Sequence, residues 1–451
     1  MFKLNNVSNL TNLHYIYKKP NIHIMRYFAY MYFSLAVIIL AGCSNNTTQK
    51  TDTNQQAASQ LSAQLTGEDN IYELPAEPYK VNIGKALKEA KTINLSEYCD
   101  SIEYVPLETR PDFYMGNISV NNCVIYNDLI YYRGPGGSGS KIFDINGKLV
   151  SDRIGTEGRA YGEHTRITSF FVNEFTKELV GTDDESKKIL VYDTVGNFKR
   201  EIPFKDKIPA KGSMVGWGYA HPLNQYYIFN SLYVDTKEYG LIILNSNGEF
   251  VSSNKLGKLP NGLSRYRIYP LFFSLQNGLL HIMDFMSDTV FTYNHNLEKK
   301  PSYIMNYGRY KISKQAAEND QFFFVNHIFE NKKIAIFTGR IQQRTVPYLL
   351  NTNNLVYLVF DKQNGTCRVL APDKYRKWFA FNNDIDGGLP FNPVIIKGDK
   401  MFQFVDAYNF IKYSKECSSP KVKEIAASLT EDSNHVMVIA HFKTQSIQSP
   451  E

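Results

Sequence analysis

The feature that most constrains this chain is a short pattern that recurs five times. Two or three apolar residues precede an Asp or Asn, and a turn, with Gly in four of the copies, leads to another apolar residue. The Asp or Asn stands at positions 144, 193, 245, 294 and 361, so the intervals are 49, 52, 49 and 67 residues. Asn-Gly and related pairs supply the positive φ angles that tight hairpins need. Each copy therefore predicts a β-hairpin.

A second strand-like run precedes each hairpin, and one more stands alone near the end of the chain. The runs are Leu129–Tyr132, Glu178–Val180, Tyr226–Phe229, Leu279–Met283, Ile334–Phe337 and Met401–Val405. A repeat of roughly 50–60 residues with four short strands is typical of a propeller blade. We therefore predict an all-β fold, a six-bladed β-propeller with four-stranded antiparallel blades over residues 93–445. A pair of sandwiches or a solenoid is the alternative.

The ends of the predicted ring should meet in one blade. An early strand over residues 102–107 and a late strand over residues 436–442 are the pair that we expect to share it. Two segments depart from the β pattern because their composition is helix-like, Ser313–Asn326 and Pro420–Leu429. We expect both to be small helical insertions.

The N-terminus resembles an export signal. Tyr27–Leu40 is apolar except for Ser34 and is shorter than the roughly 20 residues that span a bilayer. Residues 1–42 are therefore predicted to be a signal peptide, with Met25 a better start than Met1. Leu40-Ala41-Gly42-Cys43 resembles a bacterial lipobox, which implies lipid attachment, palmitate included, at Cys43. An ordinary signal peptide with a chance cysteine is the alternative.

The segments around the ring follow from composition. Residues 43–70 are too poor in large apolar side chains to fold, so they are predicted to be a lipidated flexible tether. Residues 71–92 form a lead-in and residues 446–451 a C-terminal tail. Ser44 after the cysteine favours the outer membrane, so we expect a cell-envelope lipoprotein facing the periplasm or the surface. Without residues 1–42 the chain has 46 basic and 44 acidic residues, a balance that argues against a nucleic-acid partner.

Four segments resemble the bacterial six-bladed β-propeller lipoprotein family, whose blades are similar to NHL repeats. They are an opening strand at Ser101–Thr109, the hairpin Phe143–Lys148, a glycine-containing loop at Gly158–His164 and a closing strand at Asp432–Met437. The resemblance spans about residues 93–445, in order, after a lipobox and a tether. It implies the fold and the anchor, but no common reaction.

Motifs for catalysis or metal binding are not found. The glycine-rich run Gly134–Lys141 leads into a strand, whereas a phosphate-binding loop leads into a helix. No G-x-S-x-G or H-E-x-x-H motif occurs, and no histidines pair at metal-ligand spacing. Beyond Cys43 the cysteines lack C-x-x-C spacing, and both a Cys99–Cys417 disulfide and free thiols remain open. We expect no metal and no cofactor.

Polar residues recur where the strand before each hairpin ends. If that strand is the first of its blade, these ends ring one face near the axis, where ligands commonly bind. The alternative role is structural, because Asp and Asn cap tight turns. Nearby aromatic residues add flat contacts, and Arg133 and Arg340 could grip an anion with two hydrogen bonds. The candidate ligand-binding residues are Arg133, Asp183, Trp217, Tyr219, Asn230, Asp284, Phe285, Arg340, Asp406 and Tyr408.

Two functions fit this sequence. The first, which we favour, is a lipid-anchored extracytoplasmic module that binds a glycan, peptide or protein without catalysis. The second is a carbohydrate-active lyase or hydrolase with its site in the axial funnel. A hydrolase needs two carboxylates about 5–10 Å apart across one cleft. The nearest candidates for such a pair are Asp183, Asp284 and Asp406.

Overall fold

The computed structural model describes residues 73–119, 121–137, 139–204, 207, 219–233, 238–258, 271–284, 286–313, 322–341, 355–373 and 379–444. These residues belong to one compact unit, Gly67–Glu451. Cys43, the signal peptide and the tether lie outside the described residues, as do the candidates Trp217 and Phe285. The lipid anchor therefore stays a prediction.

The described chain is built almost entirely of short strands. In chain order they are β1 (Tyr79–Val81), β2 (Ala90–Lys91), β3 (Cys99–Pro106), β4 (Cys123–Tyr126), β5 (Leu129–Tyr132), β6 (Lys141–Asp144), β7 (Leu149–Ser151), β8 (Thr156–Glu157), β9 (Glu163–His164), β10 (Ile167–Asn173), β11 (Glu178–Asp183), β12 (Lys188–Tyr192), β13 (Phe198–Pro203), β14 (His221–Leu223), β15 (Tyr226–Tyr233), β16 (Glu238–Asn245), β17 (Phe250–Lys258), β18 (Leu271–Gln276), β19 (Leu279–Asp284), β20 (Thr289–Tyr293), β21 (Lys299–Met305), β22 (Phe323–Glu330), β23 (Ile334–Ile341), β24 (Leu355–Asp361), β25 (Cys367–Leu370), β26 (Ile395–Lys397), β27 (Lys400–Val405) and β28 (Val436–Phe442). The α-helices are α1 (Ile83–Ala86), α2 (Ala407–Ser414) and α3 (Pro420–Ser428), and short 3-10 turns occur at Leu95–Glu97, Pro135–Gly137 and Gly308–Tyr310.

The strands form six blades in which successive antiparallel strands pair. Blades 1 to 3 are β4–β7, β10–β13 and β14–β17; blades 4 and 5 contain β18–β21 and β22–β25; blade 6 is β26–β28 with β3. The first strand of each blade contacts the next blade, and these contacts run in a closed circle from blade 1 through blade 6. The prediction of an all-β six-bladed propeller is confirmed.

Blade 6 joins the two ends of the chain. Strand β28 pairs on one side with β27 and on the other with β3, antiparallel, with Val436 opposite Pro106 and Ala440 opposite Ile102. The early and late strands thus share one blade, as the sequence predicts. Because the ladder crosses more than 300 residues of chain, it holds the ring shut.

The repeated Asp or Asn closes the turn between the third and fourth strands of its blade. Oδ1 of Asp144 accepts hydrogen bonds from the N–H of Asn146 (3.0 Å) and of Lys148 (2.8 Å). The same two-bond pattern recurs at Asp193, Asn245 and Asn294. Gly147 has φ +82°, and in the copy without Gly the backbone of Leu297 takes φ +62°. The hairpin prediction is confirmed.

The apolar core lies in layers between blades. Between blades 2 and 3, for example, Val180 and Val191 belong to one buried cluster with Tyr227 and Phe229. The largest cluster joins blades 4, 5 and 6. A four-stranded sheet has two apolar faces to bury, and only a neighbouring blade on each side covers both.

The lead-in segment is part of this core. Strand β1 pairs in parallel with β21, and β2 pairs in parallel with β25, so blades 4 and 5 each gain a fifth strand at the outer edge. Val81, Ile83 and Leu87 are almost completely buried. The segment therefore wraps the outside of two blades before it enters blade 6.

One helix prediction is wrong and one is confirmed. Phe323–Glu330 is β22, the first strand of blade 5, whereas the sequence suggested a helix through Asn326; residues 314–321 lie outside the described part. Pairing with β23 and burial of the phenyl rings override the helix-like composition there. The second predicted helix is α3, and α2, which the sequence did not predict, precedes it between β27 and β28.

The four cysteines after Cys43 are free thiols. Cys99 and Cys123 are buried, and Cys367 and Cys417 are half-buried. A Cys99–Cys417 disulfide is therefore not formed.

Candidate functional site

A cavity of about 470 Å³ opens where the first strands of all six blades face one another. Its lining comes mainly from β4, β10, β14, β18, β22 and β26. Because every blade contributes its first strand, the cavity lies at the middle of the ring. A volume of this size is within the range, about 300–1,000 Å³, that is typical of small-molecule sites.

The direction of the first strands defines two ends of the cavity. Four antiparallel strands return the chain to the face from which the blade began, so every first strand starts on one face, which we name the crossover face. Arg340 lies toward this face because it pairs with Phe324 near the start of β22. Glu174, directly after β10, and Lys397, at the end of β26, lie at the opposite face.

The crossover end carries two arginines. Arg340 lines the cavity and is exposed to it, and no carboxylate among the described residues forms an ion pair with it. Nη2 of Arg133 lies 3.5 Å from the carbonyl oxygen of Asn121, a lining residue. Burial lowers the pKa of Arg133, while the nearby Tyr219 opposes that change. In the described part of the chain neither guanidinium is matched by a carboxylate.

Three rings from three successive blades form an aromatic wall. The imidazole of His221 lies between Phe171, at 4.4 Å between ring centroids, and Phe273, at 4.7 Å and nearly parallel. Burial lowers the pKa of His221 to about 4, so the ring is neutral at pH 7. The wall of Phe171, His221 and Phe273 is therefore an uncharged stack of aromatic rings.

Other polar groups face the same cavity. Burial also lowers the pKa of His327, on β22, to about 4. The side-chain oxygen of Asn326 is buried and has no hydrogen-bond donor among the described residues. Asn230, on β15, also lines the cavity. These groups leave hydrogen-bonding capacity beside an apolar wall.

The opposite end is electrically balanced. Nζ of Lys397 lies 2.7 Å from Oε1 of Glu174, and both side chains are mostly buried. The pair joins blade 6 to blade 2 beside Tyr126 of blade 1, whose ring centroid lies 5.6 Å from Nζ of Lys397. Glu174 is thus bound to a lysine, which leaves no free carboxylate in the described lining.

The structure brings together only part of the predicted site. Tyr219, Asn230 and Arg340 line the cavity, and Arg133 lies beside it. The alignment that located the other candidates treats the strand before each hairpin as the first of its blade. In the structure that strand is the second of its blade, because an additional strand lies closer to the axis in every blade.

Asp183 has a structural role. Its carboxylate is buried and accepts hydrogen bonds from the N–H groups of Thr165 (2.8 Å), Glu185 (3.1 Å) and Ser186 (3.0 Å). Burial alone would raise its pKa, but these hydrogen bonds outweigh burial and lower it. The carboxylate caps the turn after β11 and is not free to bind a ligand.

Asp284 is also engaged within the fold. It accepts hydrogen bonds from the hydroxyl of Tyr239 (3.0 Å) and the N–H of Met286 (2.9 Å). Burial raises its pKa despite these bonds. It lines a smaller pocket of about 150 Å³ at the junction of blades 3 and 4, which shares no lining residue with the central cavity.

The last two candidates belong to the helical insertion of blade 6. Asp406 is the N-cap of α2, and its carboxylate accepts a hydrogen bond from the N–H of Asn409 (2.9 Å). Tyr408 is exposed on the first turn of the same helix and does not line the cavity. Neither contributes to the site.

Sequence reasoning missed the residues of the first strands. Phe171, His221, Phe273, Asn326 and Lys397 all come from these strands. A signal was present, because aromatic runs such as those in β10 and β18 stand before the strands that we aligned. A search for a fourth strand in every repeat would have found them.

Within the described ranges, no helix has the length and apolar character needed to cross a membrane. Among the same residues, no three His, Cys, Asp or Glu side chains are grouped as metal ligands would be.

The fold is similar to that of several solved structures. An exported protein of Bacteroides fragilis superposes with a TM-score of 0.56 at 14% identity, covering 81% of this chain and 99% of that one. A DUF4221 family member from Bacteroides vulgatus gives a TM-score of 0.43 at 11% identity, covering 76% and 97%. Virginiamycin B lyase from Staphylococcus aureus gives 0.35 at 10% identity, covering 75% and 99%. At 14% identity, the match to the Bacteroides fragilis protein shows a similar fold and nothing about activity.

No curated protein matches the sequence. Residues 78–441, which contain all six blades, match the family described as a domain of unknown function, DUF4934. The chain therefore belongs to the DUF4934 family.

Proposed function

We propose that this protein is an exported, lipid-anchored binding protein whose small ligand occupies the central cavity and is not chemically changed. The observation that carries the proposal is the cavity itself, which all six blades line and which combines polar side chains, Arg340 and Asn326 among them, with the aromatic wall of Phe171, His221 and Phe273. Such a combination is the usual form of a small-molecule site.

The arrangement of carboxylates favours binding over hydrolysis. Asp183, Asp284 and Asp406 accept hydrogen bonds from their own turns and helix. Glu174, the carboxylate of the described lining, is paired with Lys397. A glycosidase requires two carboxyl groups that face one cleft, one as the acid and one as the base or nucleophile. The described lining does not supply that pair, so a carbohydrate-active enzyme is the less favoured function.

The location outside the cytoplasm rests on the N-terminal sequence. The short apolar run before Leu40-Ala41-Gly42-Cys43 supports export and lipidation, and a structural relative from Bacteroides fragilis is described as exported. Two or more acyl chains are needed for stable anchoring. A Cys43→Ser variant should lose palmitate labelling and leave the membrane fraction. A variant that stays labelled and membrane-bound would contradict the lipid anchor.

Ligand binding can be tested by filling the cavity. Val124 lines the cavity on β4, so Val124→Trp should abolish the thermal shift produced by any true ligand from a metabolite library. Val150, on the outermost strand of blade 1, is exposed, and Val150→Trp is the matched control. A ligand that still raises the melting temperature of the Val124→Trp variant does not bind in the cavity. If every ligand found in the library still does so, the proposal is refuted. Turnover of any ligand would favour the enzymatic alternative.

A further inference from the structure

Among the described residues that line the central cavity, the charges do not cancel. Glu174 and Lys397 neutralise each other at the end opposite the crossover face. The two lining histidines, His221 and His327, are neutral at pH 7 because burial lowers the pKa of each to about 4. Arg340 is therefore the one charged lining residue, within the described chain, that has no counter-charge.

The positive field at this end is reinforced from blade 1. Arg133 approaches the lining residue Asn121 and is close enough to Arg166 for the two charges to repel, which contributes to the lowered pKa of Arg133. Arg166 is exposed directly before β10, on the same face. A planar guanidinium that lacks a partner binds a carboxylate with two parallel hydrogen bonds.

The remainder of the cavity suits a ring. The wall of Phe171, His221 and Phe273 is an uncharged stack of rings with centroid distances of 4.4 and 4.7 Å, and a further ring can pack against such a stack edge to face as well as face to face. Asn326 on β22 also lines the cavity and is partly exposed, so its amide can exchange a hydrogen bond with a ligand hydroxyl or N–H. A charged group, an apolar ring surface and one hydrogen-bonding group are thus supplied by three separate parts of the lining.

Building on the proposed function, we propose that the ligand is a small ring-bearing acid. Its carboxylate pairs with Arg340 at the crossover end, and one face of its ring lies against the wall of Phe171, His221 and Phe273. A uronic sugar and an aromatic acid share this chemistry, since both combine a carboxylate with a flat apolar face. The experiment distinguishes a uronic sugar from an aromatic acid, because each acid is compared with a neutral molecule that has the same ring.

The test compares acids with their neutral counterparts. D-Glucuronate with D-glucose, and benzoate with benzamide, are titrated by ligand-observed NMR into the full chain in mild detergent. In one pair at least, the acid should bind about tenfold more tightly than the neutral molecule, which corresponds to about 1.4 kcal/mol. The preference should weaken as salt is added, because the guanidinium is open to solvent. The pair that shows the preference identifies the ring.

Substitutions assign the preference to one residue. Arg340→Gln should remove the acid preference, so that the acid and its neutral counterpart bind equally, while Arg340→Lys should retain part of the preference. Arg110→Gln is the matched control, because that arginine is half-buried outside the cavity and already pairs with Asp112. Phe273→Leu should weaken the acid and the neutral ligand to a similar extent.

The failure of this inference is distinguishable from failure of the proposed function. Equal affinity for acid and neutral ligands, no binding of either acid, or a preference that persists in Arg340→Gln would each overturn the assignment of a ring-bearing acid. Library ligands blocked by Val124→Trp would still support cavity binding in all three cases. Only a library in which every thermal shift survives Val124→Trp would refute the binding site itself.

Discussion

Glu330 offers a sharp test of how blades 4 and 5 are held together. Its Oε1 lies 2.7 Å from Nε2 of His281, its Oε2 lies 2.7 Å from Nζ of Lys362, and the Tyr303 hydroxyl donates to Oε2. The carboxylate is 7% exposed. Burial alone would raise its pKa, but the interactions with His281 and Lys362 outweigh burial and hold the pKa well below its usual range.

We expect Glu330→Gln to be strongly destabilising. Gln keeps the shape but removes the charge, and Lys362, whose side chain is 9% exposed, then stays buried without a counter-charge. Loss of one partner of a buried ion pair costs about 3–5 kcal/mol. At roughly 2 °C per kcal/mol for a domain of this size, the melting temperature should fall by about 6–10 °C.

The pH dependence gives an independent check. A carboxylate whose pKa is lowered by folding contributes stability above its unfolded pKa, about 4.3, and loses that contribution as the pH falls toward the folded value. The gap between wild type and Glu330→Gln should therefore be full at pH 7 and shrink steadily below about pH 4.

Calorimetry of both proteins from pH 7 to pH 3 measures this gap. Glu416→Gln is the control, because Glu416 is exposed and forms no ion pair among the described residues. Adding Lys362→Met to Glu330→Gln should recover part of the lost stability, since the stranded charge is removed. A Glu330→Gln protein that melts within about 1 °C of wild type, or a gap that is independent of pH, would refute the reasoning.

Three further predictions follow from the fold. Asp193→Ala should lower the free energy of unfolding by about 1–2 kcal/mol, because two hydrogen bonds of the turn are lost. Asp193→Asn should be nearly neutral, because Asn fills the same position at Asn245 and Asn294. Equal losses of stability for the two variants in denaturant titrations would contradict this. Deleting residues 432–451 removes β28 from between β27 and β3 and should abolish the cooperative thermal transition, so an unchanged melt would show that blade 6 does not close the ring. Burial raises the pKa of Cys99 and of Cys367 to about 12, so neither thiol should react with iodoacetamide at pH 8 before unfolding; mass spectrometry that finds rapid native labelling would contradict that burial.

Interpretation of the candidate site was less successful than interpretation of the fold, for a physical reason. A hairpin is a local structure, so the spacing of Asp144, Asp193 and the later copies is enough to count blades. An innermost strand such as β14, with only three residues, carries little periodicity of its own. The alignment therefore began one strand too far from the axis, and it selected Asp183 and Asp284, which stabilise turns, over His221 and Phe273, which line the cavity.

Among the second strands that the sequence alignment selected, β15 and β23 contribute Asn230 and Arg340 to the lining, so two of the candidates taken from the sequence do reach the cavity. The ion pair of Glu174 and Lys397 could not be identified, since its partners are separated by 223 residues and meet only across the closed ring.

By itself the sequence determined the blade, its turn chemistry and the number of blades, because each depends on residues a few positions apart. Ring closure through β3 and β28 was also within its reach, since two unpaired strands remained at the chain ends. The tertiary structure alone decided which side chains share the central cavity and which charges there stay unpaired. Those properties arise from six strands that are distant in sequence, and they exist only when all six blades are in place.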